Sequence, residues 1–218
     1  MKDKRTFAVL ATDVCIFTVK DGELMVLLTP VTSKSFRGIL GLPGGLVGVN
    51  ELTTDAARRI TKNVLTKSDF YMEQLFTFDN PERDPLGRVV SVAYLMLVPS
   101  DQFSKVTKDG ATWKPVKNLL NLAYDHNDIV KSAVKRLKGK ISYTNIVFAL
   151  ISNEFTLSEL QDTYEAILEK SMDKRNFRKK INGLHILTKL AGKKKSGAHR
   201  PASVYKFKEK SLAHINII

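Results

Sequence analysis

The hydrophobic pattern of the chain changes character at Lys140, and that break constrains the fold more than any other feature. Before it, β-branched and apolar runs alternate with polar loops. The stretch "FAVLATDVCIFTV" (7–19) is followed by Lys20-Asp21-Gly22-Glu23 and then "LMVLL", the pattern of two strands joined at an Asp-Gly turn. Residues 36–42 read as loop and a short strand, and Gly44-Gly45 as a tight backbone turn. Thr54 is placed to cap a helix running to about Leu65, with Asp55 in its first turn. Residues 71–79 and 89–98 read as strands on either side of the polar loop "DNPERDPLGR", and a short strand follows near Thr112-Trp113. Residues 127–138 predict an amphipathic helix, with Ile129, Val130, Ala133, Val134 and Leu137 on one face. Strands, helix, strands, helix over residues 1–139 describe an α+β domain.

After Lys140 helical signals come first, at 143–151, 157–169 and 174–182. Thr156-Leu157-Ser158-Glu159 fits a capping box, Asp173 can cap the third helix, and Gly183 can end it. A short apolar strand, a basic glycine-containing tip and a strand from about Ser203 to Phe207 complete the chain. Three helices and a β-hairpin in residues 140–218 predict a winged helix-turn-helix.

Composition sets the environment and the partner. With 43% hydrophobic and 26% charged residues, the class is soluble and globular. Cys15 is the single cysteine, which excludes an intrachain disulfide or a cysteine-based metal cluster and points to a reducing cytoplasm. Lys2, Lys4 and Arg5 ahead of an apolar run imitate a signal peptide, but Asp13 interrupts the run and no small-residue cleavage site follows. No run approaches the ~18 apolar residues of a membrane span, so no membrane partner is expected.

Charge is one-sided: residues 174–210 hold thirteen Lys or Arg against Glu209 alone, which is +12 of the net +13. A solvated face explains an ordinary charge run; a concentration like this fits a polyanion, and duplex DNA above all. The sharpest signal is "SMDKRNFRKKING" (171–183). Lys174, Arg175, Asn176, Arg178 and Lys179 crowd the start of a helix whose Phe177 and Ile181 can face the core. Recognition helices put that end into the major groove. Asn suits adenine and Arg suits guanine, while Lys more often meets phosphate. In the tip, Lys193, Lys194, Lys195, His199 and Arg200 are available to phosphates or a minor groove. The rival reading is a solvated basic hairpin or an RNA contact.

The segment "GLPGGLVGVNELTTDAARRITKNVLTK" (41–67) resembles the Nudix box, in which Gly, five residues, Glu, seven residues, Arg-Glu, and then a Glu-Glu pair recur at fixed spacing. Gly45, Glu51 and Arg59 keep that frame, but Ile60 stands for the next Glu, Asn63-Val64 for the pair, and Thr66 for the last Gly. Carboxylates at i, i+3 and i+4 share one helical face and can hold Mg²⁺, which activates water against a diphosphate. Ile and Val supply no ligand, and Asn63 offers one neutral oxygen. The fold signal survives and the hydrolase signal does not; catalytic residues and metal ligands are therefore expected to be absent. Glu51 and Arg59 also read as an ion pair holding the turn to the helix.

A degenerate Nudix domain followed by a winged helix resembles the Nudix-related transcriptional regulators of NAD metabolism. The likeness is carried by "LGLPGGLV", "EQLFTFDNPERDPLGRVVSVAYLMLVP", "LAYDHNDIV" and "FTLSELQDTYEAILEKSMDKRNFRKKI". It implies an α/β/α sandwich with a mixed sheet over 1–139, a cytoplasmic homodimer, a palindromic operator, repression of NAD synthesis or salvage genes, and release by ADP-ribose, with no cofactor required. The expected effector-binding set is Glu51, Arg59, Glu73, Phe78, Arg83 and Arg88. Arginine forks suit a diphosphate, and Phe76 and Phe78 alternate along a strand where one face can stack an adenine or pack in the core. His126, beside Asp125 and just ahead of the 127–138 helix, reads as a helix-start contact rather than a catalytic base. Two other readings remain. One is a Nudix pyrophosphatase drawing Mg²⁺ ligands from elsewhere, such as Glu73; the other is a sugar-responsive regulator of the same architecture.

Overall fold

The computed structural model of the chain describes residues 7–67, 69–104, 110–194 and 201–215. Its core element is a seven-stranded mixed sheet. Strands β1 (Val9–Lys20) and β2 (Glu23–Pro30) form the expected hairpin, and Asp21 and Gly22 both take positive φ, 51° and 76°, as a two-residue primed turn demands. The path runs β3 (Leu40–Gly41), β2, β1, β6 (Val89–Leu97), β5 (Tyr71–Phe78), with β4 (Gly44–Leu46) on β1 and β7 (Thr112–Pro115) on β2. Successive β1 residues Val14, Cys15, Ile16 and Phe17 are all fully buried, so this strand is covered on both faces, which explains its near-continuous apolar run.

Residues are grouped by contact into two compact units. One comprises the described residues up to Phe17, Val26–Met96 and those after Ser104 up to Ala133; the other comprises Thr18–Met25, Leu97–Ser104 and the described residues from Val134 onward. Residue 139 lies inside helix α2 (His126–Tyr143).

Several local expectations shift. Helix α1 spans Thr53–Lys62; Leu52 is its N-cap, because its carbonyl accepts from Asp55 and Ala56 N–H, and Thr54 caps nothing. The helix stops at Lys62, so Asn63 is its C-cap and Val64 lies in the turn beyond. Gly44-Gly45 is not a tight turn but part of β4, paired with β1 through Asp13↔Gly44 and Thr12↔Gly45. Gly44 is required by close approach: a Cβ there would overlap Asp13 Oδ1. The helix expected over 143–151 is divided, since α2 runs on to Tyr143 and a 3₁₀ turn covers Ile146–Ala149.

The second unit carries α3 (Leu157–Leu168), α4 (Lys174–Gly183) and the β8 (Leu187–Lys194)–β9 (Ala202–Phe207) hairpin. The Thr156 capping box closes in both directions: Thr156 Oγ1 accepts from Glu159 N–H and Glu159 accepts from Thr156 N–H. Asp173 accepts from Asn176 N–H at 2.8 Å and starts α4. Gly183 is the last helical residue rather than the left-handed stop; that conformation falls on His185 (φ 53°). Phe155 and Tyr205 exchange backbone hydrogen bonds, adding an edge to the hairpin, and Phe207 packs against Phe155 and Phe148. Phe177 and Ile181 are buried, with Phe177 edge-on to Tyr164. These packed rings hold α4 with its basic face outward.

Candidate functional site

The first unit contains a cavity of about 360 Å³, within the range that takes small molecules. One wall is the Nudix-box frame. Glu51 and Arg59 form a two-pronged pair (Nε to Oε1 and Nη2 to Oε2, both 2.8 Å), and Arg59 also donates to Leu46 carbonyl at 2.9 Å. Gly48 N–H donates to Glu51 Oε2. The Arg59 and Gly48 hydrogen bonds hold the Glu51 carboxyl down at about 2. This pair fixes the β4–α1 connection onto the helix, as the spacing suggested. Ile60, Asn63 and Val64, the positions where the box lost its carboxylates, line the same cavity, and Ile60 and Val64 are buried.

The floor is a buried charged network. Arg83 reaches in from the β5–β6 loop, which is shaped by side-chain turns: Asn80 accepts from Glu82 N–H and Asp84 from Leu86 N–H. Its Nε and Nη2 donate to Asp125 at 3.0 and 2.8 Å, and Nη2 donates to Asp13 at 3.0 Å. Three of its five N–H bonds are thus directed at carboxylates. Arg83 is itself 94% buried. Asp13 Oδ2 also accepts from Ser91 at 2.6 Å, while Oδ1 faces His126 Nε2 at 3.4 Å. Burial alone would raise the Asp13 carboxyl; the His126 ring, the Ser91 hydroxyl and the Arg83 charge outweigh it and hold the group at about 2.

His126 opens α2, as expected of a helix-start contact, and its Nδ1 accepts the Leu42 N–H at 2.8 Å. Tyr124, just before it, takes φ 55°, a left-handed conformation that costs on the order of 1 kcal/mol for such a residue. Its ring lies between Phe36 (4.3 Å) and His126 (5.2 Å) at the cavity edge.

The expected effector residues therefore separate. Arg59 and Arg83 line the cavity, and Glu51 sits behind Arg59. Arg88 is half-buried and donates to Asp79 carbonyl at 2.6 Å. Glu73 accepts from Tyr71 hydroxyl on β5, and Phe78 packs edge-on to the exposed Phe76. None of Arg88, Glu73 and Phe78 is in the cavity wall. Asp13, Ser91, Tyr124, Asp125 and His126 were not in that set. A charge inside an apolar strand, Asp13, was the one available signal that a buried partner existed. Among the described residues, no cluster of three or more His, Cys, Asp or Glu side chains is arranged to hold a metal ion.

In the second unit, Lys174, Arg175, Asn176, Arg178 and Lys179 are all exposed on α4, and Arg178 Nη2 lies 3.5 Å from Ser158 Oγ. Lys193 and Lys194 pair with Ser203 and Ala202 in the hairpin. Lys195, His199 and Arg200 lie outside the described residues. No helix among the described residues is long and apolar enough to cross a membrane.

Comparison with known proteins matches about nine-tenths of the chain. The model of the NrtR DNA-binding winged helix domain matches residues 147–207. The ADPR responsive transcriptional repressor NtrR of Acinetobacter baylyi is 31% identical over 210 residues, covering 91% of this chain and 81% of that protein. Shewanella oneidensis NrtR, solved with a 27mer DNA, is 30% identical with a TM-score of 0.81, covering 91% of this chain and 93% of its own. The Nudix domain of that Shewanella protein, solved with ADP ribose, is 30% identical with a TM-score of 0.54 over 61% of this chain and 90% of its own. A Nudix-type cavity and a winged helix joined in one chain, matched over nine-tenths of its length, place this protein in the NrtR family of Nudix-related transcriptional regulators.

Proposed function

We propose that this chain is a DNA-binding transcriptional repressor whose Nudix-type domain senses ADP-ribose and does not hydrolyse it. The observation that carries the reading is the likeness over nine-tenths of the chain to a repressor described as ADPR-responsive and to a relative solved on DNA. The exposed cations of α4 supply the DNA face, joined by Lys193 and Lys194 of the hairpin, with Lys195, His199 and Arg200 as further DNA contacts. Two copies present two such helices to successive major grooves of a palindromic operator. The regulated genes belong to NAD synthesis or salvage, and the protein acts in the cytoplasm, as the family resemblance implies.

In the cavity, Arg83 and Arg59, both in its lining, meet the diphosphate. Ile60 and Val64 give an approaching metal ion no oxygen, so the diphosphate is held without the activated water that would cleave it. The division into a sensing domain over 1–139 and a DNA-binding domain over 140–218 follows. Because ligand and DNA are linked through one protein, ADP-ribose lowers operator affinity and DNA lowers ADP-ribose affinity by the same factor.

The test is calorimetric titration of ADP-ribose in Mg²⁺, followed by chromatography of the recovered ligand. Saturable binding with intact ADP-ribose is expected. Conversion to AMP and ribose phosphate, lost on Glu73→Gln, would establish a pyrophosphatase instead; binding of a sugar but not ADP-ribose would establish the sugar-responsive alternative.

A further inference from the structure

We propose that His126 is the positioning residue of the ligand cavity, holding the Gly41–Gly45 wall in place through a single atom, Nδ1. The inference rests on the reading of this cavity as the effector site. Residues 41–45 approach β1 and the start of α2 so closely that two of their three glycines have no room for a side chain. A Cβ on Gly41 would sit 2.7 Å from His126 Nδ1, and one on Gly44 would overlap Asp13 Oδ1. The space beside Gly41 is filled by the His126 ring and by Val31 Cγ2 at 2.8 Å, and that beside Gly44 by the Asp13 carboxylate. Leu42 is buried, and its N–H donates to His126 Nδ1 at 2.8 Å. Because Nδ1 accepts, the ring proton is on Nε2, and Nε2 faces Asp13 Oδ1. Asp13 in turn is held by Arg83 and Ser91, and Arg83 by Asp125. One connected network therefore ties the 41–45 wall to the Arg83 loop and to the helix start.

Removing the acceptor at Nδ1 leaves a buried N–H unpaired, and the wall can satisfy it only by moving toward water. Gly41 is paired with β2 and Gly44 and Gly45 with β1, so such a movement falls on Leu42 and Pro43, both of which line the cavity. His126 thus acts on ligand affinity through the backbone of the wall.

Two partial replacements separate the two ring nitrogens. In His126→Asn the amide oxygen reaches the place of Nδ1 and nothing reaches that of Nε2. In His126→Gln the terminal amide reaches the place of Nε2 and nothing that of Nδ1. ADP-ribose affinity is measured by calorimetry, and Leu42 amide exchange by NMR, on the full chain. The expected result is that His126→Asn stays within about threefold of the wild type, whereas His126→Gln binds about tenfold or more weakly and exchanges the Leu42 amide at least about tenfold faster. A merely structural histidine would weaken both variants alike. Equal effects of the two variants, or a Leu42 amide as protected in His126→Gln as in the wild type, overturns the proposal. Should the wild type fail to bind ADP-ribose, the effector reading fails, and the Leu42 exchange rates alone decide for or against the positioning role.

Discussion

Replacing Asp13 by Asn tests the buried network through a conflict that has no relaxed solution. Asp13 Oδ2 accepts from Arg83 and Ser91, and its Oδ1 faces His126 Nε2 at 3.4 Å. An asparagine has one acceptor. If its oxygen serves Arg83 and Ser91, its NH₂ meets the Nε2 proton of His126, which cannot move to Nδ1 without losing Leu42. If it turns over, the NH₂ meets Arg83 instead. Breaking a buried ion pair of this kind costs about 3–5 kcal/mol, against a total stability on the order of 5–15 kcal/mol. With a urea dependence of about 2 kcal/mol per molar, the midpoint falls by roughly 1.5–2.5 M. Trp113 is the single tryptophan and lies in the first unit, so its fluorescence follows the affected unit directly.

The pH dependence adds a second arm. The folded Asp13 carboxyl titrates at about 2, below its ordinary 3.8. A depressed folded value stabilises above the unfolded one and loses that contribution as pH falls toward 2. That depression is worth on the order of 2–3 kcal/mol at ~1.4 kcal/mol per pH unit. The stability difference between wild type and Asp13→Asn should therefore shrink by about 2 kcal/mol between pH 5 and pH 2. An unshifted midpoint at pH 7, or a difference that does not change with pH, would refute the account of the network.

Two further predictions concern the second unit. Arg178→Ala should weaken binding to duplex operator DNA while leaving ADP-ribose affinity unchanged; a gel-shift series in increasing salt checks it, with the logarithmic salt slope falling by about 1 if Arg178 meets phosphate. Thr156→Ala removes one half of the capping box and should cost about 1 kcal/mol of winged-helix stability, read as a lower thermal midpoint by circular dichroism; an unchanged midpoint would mean that Glu159 alone suffices.

Elements with local rules were legible in the sequence. The Asp-Gly hairpin, the Thr156 and Asp173 caps, the buried Phe177 and Ile181, and the Glu51–Arg59 pair all follow from spacing within about ten residues. What the spacing missed is long-range. Arg83 meets Asp13 seventy residues away and Asp125 forty-two residues away, and nothing local distinguishes it from Arg88, whose side chain donates to the Asp79 carbonyl of its own loop. Gly44 reads as a turn glycine because its real requirement, room for the Asp13 carboxylate, is set by strand pairing. Helix α1 ends at Lys62, short of the expected Leu65, although Val64 and Leu65 are buried and their N–H groups donate to the Thr61 carbonyl. Asp13 was visible as an intruder in an apolar strand, and its burial with three partners is what such an intrusion requires.

The central claim is that ligand in the cavity controls the DNA face. Fluorescence anisotropy of a labelled operator duplex bound by the full chain, titrated with ADP-ribose in Mg²⁺, tests it most directly. The account predicts that ADP-ribose releases the duplex saturably, with the nucleotide recovered uncut. Operator binding that is indifferent to saturating ADP-ribose, or release that follows only after the nucleotide has been hydrolysed, would contradict it.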